Sequence, residues 1–403
     1  MKQPSALISG AGIAGSAAAY WLHRSGYEVT VLERAAAPRQ GGQTVDLRGA
    51  GRTVARRMDV FDEILDRTVE QRGIAYVDDR GRIRASLPAD AFGGNGIVSE
   101  IEILRGDLAD VLHTAVRDDC EHVWDDTVTA LSEHSGGVAV EFERSAARSF
   151  DLVIGADGTH SAVRRLAFGP EKHFLRPIGG YQAWFTTPAR ADLDDWFLMH
   201  RAPGGRVASL RPGRLPGEAK AALAFRSDPL AIDRRDGAAV RRLVRDRFAG
   251  ITGWNVPWLL DALDTAPDLA FDSIDQVHMD TWTRGRVALV GDAACSPTSL
   301  TGLGTSLALV GAYVLAGEMR RSGGNHPTAF AHYERIMRPY VAQAQELPPL
   351  GIAGFAPNGR LAIGLGTLSF RLMTGWPLRW IAARFFDKAD AIELPDYATT
   401  CAA

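Results

Sequence analysis

The 403-residue sequence predicts an α/β fold with an inserted, mostly antiparallel layer. Three observations carry this. Strand–helix–strand signals open the chain and a strand–helix signal recurs near residue 290. A glycine-rich turn joins the first strand to the first helix. Between about 175 and 275, short alternating runs are separated by Pro/Gly turns.

Taken in order, residues 5–9 (SALIS) read as a buried strand, 14–25 as a helix and 27–33 as a second strand, a βαβ unit. Residues 38–51 are a glycine-rich loop, and 50–65 read as one helix. Residues 74–86 form a hairpin turning at Asp78-Asp79-Arg80-Gly81. A strand at 101–104 feeds a helix at 107–116. A hairpin follows at 127–132 and 138–143, then one strand at 150–154. The central block carries strands at 180–187, 207–211 and 221–226 and a helix at 237–249. A strand at 287–290 precedes helices at 305–321 and 327–345.

Composition narrows the function. With 45 basic and 48 acidic residues the net charge is −3, which gives no field that collects nucleic acid or anionic membrane. Cys120, Cys295 and Cys401 show no metal or disulfide spacing, and a reduced, cytoplasmic setting is expected. Glycines divide the apolar stretch at 6–22, so it does not read as a secretory signal. The apolar run 307–316 is far shorter than the ~20 residues of a membrane span.

The motif Gly10-Ala11-Gly12-Ile13-Ala14-Gly15 sits directly between strand and helix. Gly10 permits the turn, Gly12 lets backbone approach a pyrophosphate, and Gly15 allows close helix packing. The phosphates would rest on the helix N-terminus, through the first-turn N–H groups near Ile13 and Ala14. Glu33 ends the second strand, where a carboxylate binds ribose hydroxyls. This motif does not separate NAD from FAD.

Two later motifs bear on that choice. Residues 151–158, ending in Asp157-Gly158 and followed by Ser161 and Arg164, resemble the DG motif of flavoprotein aromatic hydroxylases. Residues 286–294, with Gly291-Asp292 and the following Ser296-Pro297, resemble their GD motif, whose Asp accepts a ribityl hydroxyl. Gly302-Leu303-Gly304-Thr305-Ser306 then opens a helix whose N–H groups stabilise charge at the flavin N1/C2 edge. The chain therefore resembles single-component FAD-dependent monooxygenases of the para-hydroxybenzoate hydroxylase type, closest to the tetracycline-modifying branch, over residues 4–345.

The resemblance implies a Rossmann-like FAD-binding domain (GR2-type) from 1–73, 100–174 and 276–347. It implies a substrate-binding sheet domain from 74–99 and 175–275, with a C-terminal helical segment at 348–403. It assigns Arg105 to the FAD, Arg34 to the adenine end, and Gln43 and Asp46, in the segment 41–47, to the flavin ring. NADPH (or NADH) would bind transiently, without a second nucleotide domain. O2 would add at flavin C4a, and the hydroperoxide would deliver one oxygen to an aromatic or polycyclic small molecule. Hydroxylation is the default, with Baeyer–Villiger insertion and epoxidation as other outcomes. A monomer or homodimer is expected.

The family usually carries Asn and a later Asp after Gly304, whereas this chain has Thr305-Ser306 and Leu307-Ala308-Leu309. Gln182, Trp184, His200 and Arg211 are the substrate-side candidates. No catalytic base and no metal site emerge. The stretch 349–386, with Trp376 and Trp380, reads as a lid, a substrate wall, a packing tail or a dimer surface. A thioredoxin-like extension needs more than the ~55 residues that remain.

Rival readings are a reductase or desaturase of the same fold, a flavin-binding sensor, and a flavin halogenase. The halogenase calls for a GWxWxIP segment and a catalytic Lys, and Gly253-Trp254-Asn255-Val256-Pro257 is only an echo of that segment.

Overall fold

The computed structural model of the chain describes residues 3–38, 41–91, 99–348, 350–374 and 391–397. Its first layer is built on the strand Ser5–Ser9, whose Ala6, Leu7 and Ile8 are wholly buried. It pairs in parallel with Glu28–Glu33 on one side and Leu152–Gly155 on the other. Glu121–Trp124 and Val287–Leu289 extend the parallel sheet, and Thr283–Arg284 closes one edge antiparallel. Strands buried on both faces read as continuous apolar runs, which is how residues 6–8, 152–154 and 287–289 stand in the sequence.

The helices Ile13–Arg24 and Gly304–Arg321 pack against each other beside this sheet, and His326–Ala344 and Gly49–Arg57 pack on the second of them. Every residue from Thr305 to Met319 is buried, so the apolar run at 307–316 is the central core helix. Among the described residues no helix is long and apolar enough to cross a membrane. The tail at 391–397 lies along it: Tyr397 is buried, and its hydroxyl donates to Glu318 at 2.8 Å.

The second layer is a seven-stranded sheet. Its order is Ala270–Val277, Leu175–Pro188, Glu218–Arg226, Arg206–Pro212, Trp196–Ala202, Gly73–Val77 and Ile83–Pro88. Only the Trp196–Ala202 and Gly73–Val77 neighbours run parallel. One face, carrying Tyr181, Ala183, Phe185, Leu210, Leu223 and Phe225, packs under the helices Gly237–Phe248 and Val256–Thr265. Successive strand residues alternate faces. The opposite face therefore carries Gln182, Trp184, Thr186, Ser209, Arg211 and Lys220. Phe370, from the helix Arg360–Thr374, and Ala356 cover part of that face.

Several elements differ from expectation. The helix expected over 50–65 is two, Gly49–Arg57 and Phe61–Asp66, because Asp59 takes a left-handed conformation (φ 59°) that breaks the first. The strand expected over 150–154 is two strands in different sheets. Arg148–Phe150 joins the antiparallel meander with Gly137–Phe142 and Val128–His134, while Leu152–Gly155 joins the parallel sheet. The chain changes sheet at Asp151, whose carboxylate accepts from the Ser5 N–H at 2.8 Å and hydroxyl at 2.9 Å. The helix expected from 107 starts at Arg105. Glu121–Trp124, Trp196–Ala202 and Val256–Thr265 were not among the expected elements. Trp376 and Trp380 lie outside the described residues.

Candidate cofactor and substrate site

The parallel strands end on one side in loops that meet the first turns of two helices. Gly10 has φ 108°, and a Cβ there would lie 2.5 Å from the Ala156 carbonyl oxygen. A Cβ on Gly15 would stand 1.8 Å from the Gly10 carbonyl oxygen. Both positions are closed to side chains by backbone. Gly12 is different. Its backbone is extended (φ −79°), it opens the helix Ile13–Arg24, and a Cβ there would meet only the Arg105 Nη2, at 3.8 Å. The turn is packed at Gly10 and Gly15 and open at Gly12. Glu33 accepts from the Ala11 and Ala35 N–H groups, each at 2.9 Å, which fixes its carboxylate at the rim, and Arg34 beside it is exposed.

The DG and GD motifs meet behind this turn. Asp157, expected to face the cofactor, is used within its own loop. It accepts from the Ser161 hydroxyl and from the Ala162 and Val163 N–H groups at 2.7 and 3.2 Å, which orders the start of the helix Ala162–Phe168. Burial pushes its carboxyl up, against those hydrogen bonds. Arg164 is fully buried and donates to the Thr159 carbonyl at 2.5 Å and the Ala293 carbonyl at 3.0 Å, tying one motif to the other. Gly291 (φ 60°) lets the GD loop touch the first helix, since a Cβ there would lie 2.7 Å from the Ala14 Cβ. Asp292 is accessible from the cleft yet enclosed by protein. Burial raises its carboxyl, and Arg105 pulls it back down.

The segment 41–46, whose Thr44–Asp46 is a short strand, closes the far side. Arg105 donates its N–H to the Gln43 carbonyl at 2.9 Å and Gly106 to the Gly41 carbonyl at 2.8 Å. This leaves the Arg105 side chain exposed at the start of its helix. Gly302 (φ 65°) lies against Asp46, whose Oδ2 would be 2.7 Å from an added Cβ. Gly304 is open, and the nearest side-chain atom to a Cβ there is the Asp292 Oδ1 at 3.8 Å. Ser306 does not present its side chain to the cleft, because its hydroxyl donates to the Arg48 carbonyl at 2.9 Å. Thr305 beside it is buried. What the 302–306 segment offers is mainly backbone.

The seven-stranded sheet reaches this cleft through Arg211, which contacts Glu102, through the Arg214–Asp107 pair at 2.6 Å, and through Lys220, whose Nζ would lie 3.8 Å from a Cβ on Gly41. Gln182, Trp184 and Arg211 share the cleft-side face. His200 does not, which corrects the expectation. It pairs in register with Ala208 on the helix-covered face, where its Nε2 lies 2.9 Å from Asp79 and its ring stacks on Trp254.

Sequence reasoning passed over Glu102, Lys220 and Thr298. Glu102 is buried beside Asp46, and burial pushes its carboxyl up to about 8 despite Arg211. Thr298 holds φ 79° in the loop between Asp292 and Gly302. That conformation is rare for a β-branched residue, and the run Ser296-Pro297-Thr298 carries no sign of it in the sequence. Among the described residues no group of three or more His, Cys, Asp or Glu side chains is placed to hold a metal ion.

Comparison with known proteins settles the family. The family described as "FAD binding domain" matches residues 3–346. A flavin-dependent monooxygenase of Legionella longbeachae is 37% identical over 86% of this chain and 88% of its own length. The chain belongs to this family of FAD-dependent monooxygenases. An uncharacterized protein of Mycobacterium tuberculosis is 43% identical to the monooxygenase over 87% of this chain and 94% of that one. Among solved structures, the tetracycline destructase Tet(51) superposes with a TM-score of 0.83 at 31% identity, covering 98% of the monooxygenase and all of that chain. The monooxygenase thus stands with the para-hydroxybenzoate hydroxylase type that its three nucleotide motifs resemble.

Proposed function

We propose that this FAD-dependent monooxygenase takes electrons from NADPH or NADH and inserts one atom of O2 into an aromatic or polycyclic small molecule. The observation that carries the reading is the pair of open glycines. Gly12 and Gly304 stand at the N-termini of two helices, each empty where a side chain would project, with Arg105 and Asp292 as the neighbouring charged groups.

These residues fit FAD. The first-turn N–H groups around Gly12, Ile13 and Ala14, with the positive end of the helix, would hold the pyrophosphate, and the Arg105 guanidinium would neutralise it. Glu33 keeps lone pairs beyond its two backbone partners for ribose hydroxyls. Asp292, raised by burial, gains from a hydroxyl donor that supports its charged form. The N–H groups of Gly304, Thr305 and Ser306 would stabilise developing negative charge at the ring's pyrimidine edge. Gln43 and Asp46 border the same space. Bound there, FAD would supply the electrons that activate O2, and one oxygen atom of that O2 would reach the substrate.

The substrate would lie between this wall and the sheet face of Gln182, Trp184 and Arg211. Trp184 offers a flat apolar surface, Gln182 an amide and Arg211 a fixed guanidinium. The name of Tet(51), a tetracycline destructase, supports the polycyclic alternative. The test is a ligand panel added to purified yellow protein, watching for stimulated NADPH oxidation with O2 uptake and a product heavier by one oxygen. Absence of flavin reduction by either nicotinamide cofactor would overturn the reading.

A further inference from the structure

The helix Arg360–Thr374 is apolar on two opposite sides. Thr367 and Phe370 share the side that lies on the seven-stranded sheet. There Phe370 is buried, and the Thr367 hydroxyl accepts from the Arg201 guanidinium at 2.6 Å. Leu361, Leu365, Leu368 and Leu372 recur at spacings of four, three and four, which at 3.6 residues per turn sets them in one stripe about 60° wide on the other side. These leucines are 77%, 58%, 50% and 56% exposed. Among the described residues no other helix or strand exposes more than one large apolar side chain. A helix that is apolar all round is normally buried, and an exposed apolar stripe of this kind marks an interaction surface.

Charge selects the partner. Residues 347–386 contain no Asp or Glu, although the chain carries 48 of them, and they include Arg360, Arg371, Arg379 and Arg384. The whole-chain charge of −3 hides this local excess. At 3.6 residues per turn, Arg360 and Arg371 both fall roughly a quarter-turn from the leucine stripe, on the same flank. From a flank, a guanidinium reaches headgroup level while the leucines enter the acyl boundary. A second copy docked by the same stripe would bring only further arginines, and the chain that follows the helix adds two more before its first acid, Asp387.

We propose that the leucine stripe of Arg360–Thr374 docks this protein on an anionic lipid surface. The leucines enter the boundary between headgroups and acyl chains, and the basic flank meets the lipid phosphates. The docking is peripheral, and it needs no spanning helix. The inner side of the helix stays on the sheet, so a docked molecule holds the face that carries Gln182, Trp184 and Arg211 beside lipid. Docking does not rest on the oxygenation reading.

The experiment is co-sedimentation of the full chain, with FAD bound, with lipid vesicles. Equimolar phosphatidylcholine and phosphatidylglycerol vesicles should carry down wild type at least about tenfold better than pure phosphatidylcholine vesicles, and half-molar salt should weaken the binding severalfold. Leu365→Gln with Leu368→Gln should melt with wild type, because both side chains are exposed, and should bind the anionic vesicles at least about tenfold less. Leu361→Gln, at the most exposed of the four, should lose binding severalfold and decides the matter if the double variant melts early. Leu65→Gln with Leu215→Gln, exposed elsewhere, should bind like wild type. Wild type that stays in the supernatant with both vesicles, or binds both equally, overturns the proposal. If it stays in the supernatant and elutes as a dimer that the leucine variant separates, the stripe joins two copies instead. Leucine variants that bind like wild type also overturn it, because the lipid contact then lies on another surface.

Discussion

Alanine at Gly12 and alanine at Gly15 should fail in opposite ways, although the two glycines belong to one motif. At Gly15 the added carbon would stand 1.8 Å from the Gly10 carbonyl oxygen and 2.9 Å from its carbon. Those are backbone atoms, so the helix Ile13–Arg24 must move by more than an ångström. Overpacking of this kind costs about 1–3 kcal/mol or more. At Gly12 the backbone angles suit alanine and the nearest atom, the Arg105 Nη2, is in ordinary contact at 3.8 Å. The stability cost there is that of a poorer helix cap, below about 1 kcal/mol. The same methyl occupies the space through which phosphate oxygens reach the N–H groups. Losing one or two charge-assisted hydrogen bonds, worth about 1.5–3 kcal/mol each, weakens FAD binding by at least tenfold. Thermal melts of both apo variants and titration of each with FAD, followed by flavin fluorescence, separate the effects. Gly15→Ala should melt well below wild type, and Gly12→Ala close to it but with weak FAD binding. If Gly12→Ala melts like wild type and also binds FAD within twofold of it, backbone does not meet phosphate at this turn and the reasoning is wrong.

His200→Ala should lose about 1–3 kcal/mol of stability by urea titration, from the cavity left by its buried ring and the lost Trp254 stack, with substrate KM unchanged. A raised KM without loss of stability would return His200 to the substrate side. His160 lies between Glu171 at 3.0 Å and Asp272 at 3.2 Å. Burial works against its charge, but these carboxylates outweigh it and raise the imidazolium to about 9, above its unfolded value near 6.5. Its contribution is therefore full below pH 6.5 and lost as the pH rises through 9. The melting difference between wild type and His160→Gln should shrink across that window, and a constant difference refutes the assignment. Gly317→Ala would place a carbon 2.2 Å from the Tyr397 ring and should release the 391–397 tail to limited proteolysis. Equal cleavage rates would show that the tail is not held there.

The nucleotide loops were legible because their demands fall on backbone. Gly10, Gly15, Gly291 and Gly302 each sit where a side chain would strike a carbonyl, a methyl or Asp46, and such requirements survive as glycine in the sequence. The alternation of residues 181–187 likewise reports one buried and one half-buried face. The strand Trp196–Ala202 is buried on both faces over most of its length, so no period of two indicates a side. The placement of His200 comes only from its register with Ala208. Glu102 was invisible for a similar reason, since its partners Asp46, Gln71 and Arg211 are far apart in sequence and only the folded ribbon and sheet bring them together. The DG motif marked the loop that Asp157 shapes, but not which way its carboxylate turns.

The claim that this cleft serves a monooxygenase is tested most directly by isotope. Purified holoprotein, NADPH and a substrate that stimulates its oxidation are incubated under 18O2, and the product is weighed by mass spectrometry. One 18O per product molecule, in step with the NADPH consumed, is the predicted result. A product that carries no 18O, with the consumed NADPH recovered as hydrogen peroxide, would contradict the account.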